Sequence, residues 1–239
     1  MYRLQCLALC ILAYYTTGAA AASFIKPCKP DDYPCIKDSV VAAIPHFIKG
    51  IRDLGLPPAD PIVLSDVRAD DKDLKLGFRN LKVTGISKCK LVDFKRDLDK
   101  STMTLMLECP ISATGQYDLD GKLLFIHAEG NGDMKIESTK VLIEAILKIK
   151  VIEKEGVKHW KITGFDYSYD IIDKPTIVLH NLFGGDEKRA KPLKDVLESS
   201  PTEIIKAVGG GIIKELIAKA VDIIINFFKT VPLSELELS

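Results

Sequence analysis

The chain has 239 residues, with 33 lysines and arginines against 33 aspartates and glutamates. That balance excludes a protein that works by neutralising nucleic-acid phosphates, and no acidic block suggests a tail. Apolar residues make up 47% and aromatics only 7%, enough for a large core but too little for an aromatic stacking surface.

The first segment, MYRLQCLALCILAYYTTGAAAA, has one basic residue, an apolar run from Leu4 to Tyr15 and a tract of small residues. These are the regions of a secretory signal peptide over 1–22, with cleavage expected between Gly18 and Ser23. The apolar run is too short for a membrane span, so the protein is expected to be secreted and extracellular. Cleavage removes Cys6 and Cys10 and leaves four cysteines in an oxidising compartment. It also removes Arg3, which leaves 32 basic against 33 acidic residues and a net charge of −1. The remaining residues 23–239 contain no repeat, low-complexity tract or linker, and read as one domain.

CKPDDYPC, Cys28 to Cys35, comes next. Its spacing fits neither a zinc knuckle nor a redox C-x-x-C, which leaves a small disulfide-closed loop. Ile36, Val40, Ile44, Phe47, Ile48, Ile51 and Leu54 then recur at helical steps, with Pro45 inside the pattern and Gly55 and LPPADP to end it. From Ile62 to about Leu182 the period becomes two. Val141, Ile143, Ala145, Leu147, Ile149 and Val151 alternate with polar residues as one long strand. Comparable strands are expected near 73–94, 101–117, 121–137, 157–171 and 175–182. Turn signals lie at Asp97 to Lys100, Asp120-Gly121, Glu155-Gly156 and Asp173 to Pro175. Short connections without helices imply an antiparallel meander, and strands of this length imply a curved, twisted sheet. Thr202 to Thr230 is helical again and apolar around well over half its circumference, so the sheet is expected to surround it. The fold class is therefore α+β: a long, highly curved antiparallel sheet wrapped around a long C-terminal helix. A second helix lies near the N-terminus, and an elongated hydrophobic tunnel runs inside.

The chain carries no G-x-S-x-G, P-loop or dinucleotide fingerprint; GNGD at Gly130 to Asp133 lacks the third glycine. His46, His127, His159 and His180 are scattered without ligand spacing. No catalytic residue, metal site or cofactor is assigned, and the chain reads as a non-enzyme. Phe47, Ile51, Tyr117, Phe125, Trp160, Phe165, Tyr167, Ile212, Leu216 and Phe227 fall on apolar faces of these elements. They are the candidate tunnel lining, although packing in the core is the better account of any single aromatic among them. The hydroxyls of Tyr117, Tyr167 or Tyr169 would orient a lipophilic molecule.

Five motifs in order carry a resemblance to the insect takeout and juvenile-hormone-binding protein family over essentially the whole mature chain. They are CKPDDYPC, GIRDLGLPPADP at Gly50 to Pro61, GQYDLDGKLLFIHAEGNGDMKIE at Gly115 to Glu137, NLFGGDEKRAKPL at Asn181 to Leu193, and the C-terminal helix ending in VPLSEL. The resemblance implies a secreted carrier that holds a terpenoid, isoprenoid or fatty chain in an internal tunnel, with Cys28 bonded to Cys35. Hormone carriers of the family have a second disulfide near the long helix. This chain has no cysteine after Cys109, which favours the takeout-like branch. The expected partner is a lipophilic small molecule bound by a monomer, with no nucleic acid. The alternative is an extracellular signalling or chemosensory protein whose partner is a receptor or a membrane surface. Gly209-Gly210-Gly211 inside the long helix departs from the family and points to a kink or a close approach.

Cys89 and Cys109 have no template in the family. If the hairpin between them centres on Asp99, opposed residue numbers sum to 198 and the two cysteines face each other across neighbouring strands. A second disulfide is expected there, the alternative being two packed thiols.

Overall fold

The computed structural model describes residues 22–238; of the leader expected over 1–22, all but Ala22 lies outside them. Seven antiparallel strands form one sheet: β1 (Ile62–Arg68), β2 (Leu74–Thr84), β3 (Lys90–Asp97), β4 (Thr102–Leu123), β5 (Ile126–Lys154), β6 (Val157–Ile171) and β7 (Thr176–Leu179). Among the described residues four helices accompany it: α1 (Tyr33–Lys49), α2 (Glu187–Ser199), α3 (Pro201–Val208) and α4 (Gly210–Thr230).

Each long strand serves two partners in turn. β4 pairs with β3 through Thr102–Glu108 and with β2 through Ser112–Gly121. β5 pairs with β7 at Met134–Glu137 and with β6 over Val141–Lys154. The change of partner on β4 falls at Pro110, where the register between β4 and β5 slips. Proline has no N–H to give a central ladder and is tolerated there only at an irregularity, which also bends the strand.

Two turns differ from the sequence reading. Asp120-Gly121 does not reverse the chain, because β4 runs on to Leu123 and turns at Leu124-Phe125. Gly121 has φ 125°, and a Cβ there would lie 2.1 Å from the Asp73 carbonyl oxygen. The glycine thus serves a close backbone approach rather than a turn. The strand expected over 73–94 divides at a short turn after Gly85, and the strands expected at 121–137 and 141–151 are one strand, β5.

Helix α1 begins where the Asp32 side chain accepts from the Cys35 N–H and stops at Gly50, five residues before Gly55. Helix α2 lies in NLFGGDEKRAKPL and its sequel, where no helix was expected, and Pro192 falls inside it. Asp186 caps its first turn, and Ala190, Leu193 and Leu197 bury one face. The long C-terminal helix is divided at Gly209, with φ −82° and ψ −16°, into α3 and α4. The Gly209 N–H still donates to Ile205 O at 2.8 Å, so the axis continues with little break.

Helix α4 packs against β6 and β1, strands from the two margins of the sheet, which curls around it. Ile212, Ile217, Val221, Phe227 and Phe228 are buried, while Lys214, Glu215, Lys219, Asp222 and Asn226 form one exposed stripe. The enclosure therefore leaves one face to water, because the polar residues fall within a single sector of the helix.

Two cores fill the ends of the molecule. One joins β1, β2, the outer half of β4 and helices α2 and α3, and is mainly aliphatic around Tyr117. The other gathers α1, β6 and the end of α4 around Phe94, Trp160, Phe227 and Phe228.

Candidate ligand-binding site

Between the two cores runs a cavity of about 320 Å³, within the range of small-molecule sites. β2 contributes Leu76 and Phe78, β4 Leu105 and Leu107, β5 Ile143 and Leu147, and β6 Ile171. The helical side carries Ile204, Val208, Ile212, Leu216, Ala220 and Ile224 at four-residue steps. Ile204 and Ile224 are twenty positions apart, so the wall extends about 30 Å along the helix axis.

Among the described residues no charged side chain lines the cavity, and its surface exposes no nitrogen or oxygen. The Ser138 hydroxyl at its margin is engaged elsewhere. Ser138 donates to Asp173 Oδ1 at 2.5 Å, and Thr139 donates to Asp173 Oδ2 through its N–H at 2.6 Å and its hydroxyl at 2.7 Å. Partial burial pulls the Asp173 carboxyl up, but these three donors hold it below the usual range. Tyr169 is on the wall, and burial raises its phenol.

Of the ten residues expected to line a tunnel, Ile212 and Leu216 are on this wall. The other eight lie elsewhere, with Phe47, Trp160 and Phe227 in the second core. Phe47 meets Phe227 edge-on at 5.0 Å between ring centroids. Trp160 meets Phe228 at 5.2 Å, with the Arg96 guanidinium 5.0 Å above its ring. Ile51 is buried beside Leu56. Phe165 and Tyr167 sit side by side at 6.5 Å, and the Tyr167 hydroxyl donates to Gly210 O at 3.3 Å.

Tyr117 is fully buried at the other end, where its hydroxyl donates to His180 O at 2.7 Å. Burial pushes that phenol up to about 12. Gly130 makes room for it, since a Cβ there would lie 2.7 Å from the Tyr117 hydroxyl oxygen. Phe125 is 72% exposed at the tip of the β4–β5 hairpin, because the strands continue to the turn beside it. Flat rings pack edge-on within the core beside the cavity, while branched aliphatic chains line the space itself.

The sequence reading missed the aliphatic wall of β4 and β5. Periodicity marks Leu105, Leu107 and Ile143 as apolar on one face, but the same pattern describes any filled core.

Cys28 is bonded to Cys35, with Cα atoms 5.8 Å apart, and Cys89 to Cys109, with Cα atoms 4.2 Å apart. The second pair lies on the cavity wall at the corner where β4 changes partner. Among the described residues no helix is long and apolar enough to cross a membrane, and no cluster of His, Cys, Asp and Glu could hold a metal ion.

Residues 5–237 match the family model for haemolymph juvenile hormone binding protein. Over 161 residues the chain is 24% identical to juvenile hormone-binding protein of Manduca sexta, covering 66% of this chain and 69% of that protein. Over 154 residues it is 24% identical to the circadian clock-controlled protein daywake of Drosophila yakuba, covering 59% of each. In structure it is similar to Takeout 1 of Epiphyas postvittana. The TM-score is 0.85 at 22% identity, over 90% of this chain and 100% of that one.

Proposed function

The chain belongs to the haemolymph juvenile hormone binding protein family, and from that premise we propose that it is a secreted, monomeric carrier of one elongated hydrophobic molecule. The ligand lies in the cavity between the sheet and the α3–α4 helices, and no bond of it is made or broken. One observation carries this reading: a cavity about 30 Å long whose wall exposes no polar atom among the described residues. Empty, such a space forfeits dispersion contacts along its whole length, and an apolar chain restores them. The Manduca sexta relative, named for juvenile hormone, supports a lipophilic small molecule as the cargo. The absence of cysteine after Cys109 supports the takeout-like branch. Ile212 and Leu216, with their neighbours Ile204 and Val208, are the binding residues in this reading.

Native mass spectrometry of protein purified from a eukaryotic secretion host tests it. The carrier reading expects a population heavier by a single lipid of a few hundred daltons, lost on denaturation. A protein that is ligand-free, and stays so after incubation with long-chain lipids, contradicts it.

A further inference from the structure

The β4–β5 hairpin closes on the pair Leu123↔Ile126, so its turn consists of Leu124 and Phe125 alone. Leu124 is 38% exposed and Phe125 72%, more than any other large apolar side chain among the described residues. Leu124 also has φ 54°, in the left-handed region. Asparagine and glycine take that conformation readily in hairpin turns, whereas leucine is strained there. Strain and exposed apolar surface thus coincide at a place where ordinary turn residues would bring neither. Leu123, the residue before the turn, is buried and lies on the cavity wall with Leu76 and Leu119. The apolar wall therefore runs up to the tip. Between Gly121 and Ala128 the one fixed charge is Lys122. Its N–H donates to Asp73 O at 2.6 Å, which brings Asp71, Lys72 and Asp73 alongside and balances two cations against two carboxylates.

We infer that the Leu124–Phe125 turn docks on a phospholipid surface, where the protein takes up or releases its ligand by contact rather than through water. This deepens the carrier reading and rests on it. Two side chains expose far less than the roughly 800 Å² per partner of a stable protein interface. A bilayer asks for no complementary shape and admits apolar side chains at its headgroup and acyl boundary. Because the charges around the tip balance, zwitterionic lipid suffices. The contact is transient, since even one acyl chain gives only marginal membrane binding. Docking sets Leu123 and the end of the cavity wall beside the acyl chains, so an apolar ligand passes between them with little exposure to water.

The test is stopped-flow transfer of N-phenyl-1-naphthylamine from the loaded protein to phosphatidylcholine vesicles that carry a nitrobenzoxadiazole headgroup quencher. Transfer by contact speeds up in proportion to vesicle concentration, whereas release through water runs at a rate set by the protein alone. Wild type should show the proportional dependence. The double variant Leu124→Asn with Phe125→Ser suits the left-handed turn and lacks the apolar tip. It should lose about tenfold or more of the rate, together with the dependence on vesicles, at unchanged probe affinity. Sedimentation of ligand-free protein with vesicles at rising lipid concentration reads the docking by itself and should show the same loss. A wild-type rate that ignores vesicle concentration, or a variant within about twofold of wild type in both assays, overturns the inference while leaving a carrier in place. So do dimers that form at rising protein concentration and vanish in the variant, without sedimentation on vesicles, because the tip would then cover a second copy of the chain. Failure of the probe to bind the protein at all overturns the carrier reading, and sedimentation still decides the docking.

Discussion

Replacing Leu216 with Asp places a carboxyl on the middle of the helical wall, among Ile212, Ile213 and the aliphatic residues of β4 and β5. The wall has no donor for it, and the cations Lys214 and Lys219 lie on the exposed stripe of α4. The least costly folded form is therefore the neutral acid. At pH 7 protonation lies about three units above the ordinary aspartate pKa, a cost of about 4 kcal/mol. The folded state then holds a proton that the unfolded state has released, so stability falls as pH rises from about 4 to 7. At pH 5 the same cost is about 1.5 kcal/mol. Leu216→Asn loses the same apolar contact without the titration and should show no such slope. Chemical denaturation of wild type, Leu216→Asp and Leu216→Asn at pH 5 and 7 measures all of this. A loss below about 1 kcal/mol for Leu216→Asp, equal at both pH values, would mean that water reaches this position and that the wall is not dry.

Asp173→Asn removes the charged acceptor that ties Ser138 and Thr139 to the β6–β7 connection. Because the Asp173 carboxyl is held low in the folded state, its contribution is present at neutral pH and is lost as pH falls through that depressed value. The variant should be less stable by about 1–3 kcal/mol at pH 7, with the gap to wild type closing in acid denaturation below the usual carboxylate range; a constant gap contradicts the assignment. Tyr117→Phe leaves His180 O without its donor and should cost about 1–3 kcal/mol in thermal or urea unfolding. Its ligand affinity, read by probe displacement, should stay unchanged because Tyr117 lies off the wall. Phe125→Ser should alter stability by under about 0.5 kcal/mol and leave affinity untouched; a large loss of binding would return Phe125 to the ligand path.

The hairpin that joins the second cysteine pair shows both the reach and the limit of the sequence. Lys90↔Glu108 and Leu91↔Leu107 sum to 198, as a hairpin centred on Asp99 requires, and this places Cys89 beside Cys109. Nearer the turn the sum is 199, from Asp93↔Met106 to Asp97↔Thr102. The chain thus turns half a residue later than its polar residues suggest, and an irregularity at Val92 restores the register. Period-two and period-3.6 patterns located β5, β6 and the C-terminal helix because each has one face toward an apolar interior. Helix α2 was not legible, since Pro192 breaks the propensity while Ala190, Leu193 and Leu197 still bury a face. The cavity wall was not legible either. An apolar side chain facing a neighbour and one facing a void share the same spacing. Only the packing of Tyr117 in one core and of Phe47, Phe227 and Trp160 in the other, off the cavity wall, separates them.

The affinity of the protein for a homologous series of straight-chain methyl esters tests the central claim most directly. If the ligand lies along the apolar wall, each added methylene contributes about 0.8 kcal/mol, so Kd should fall about fourfold per carbon. The trend should level off as the chain outgrows the roughly 30 Å of wall between Ile204 and Ile224. In Leu216→Asp the whole series should bind more weakly. A Kd that does not change with chain length, in wild type and variant alike, would contradict a carrier whose cavity holds the chain.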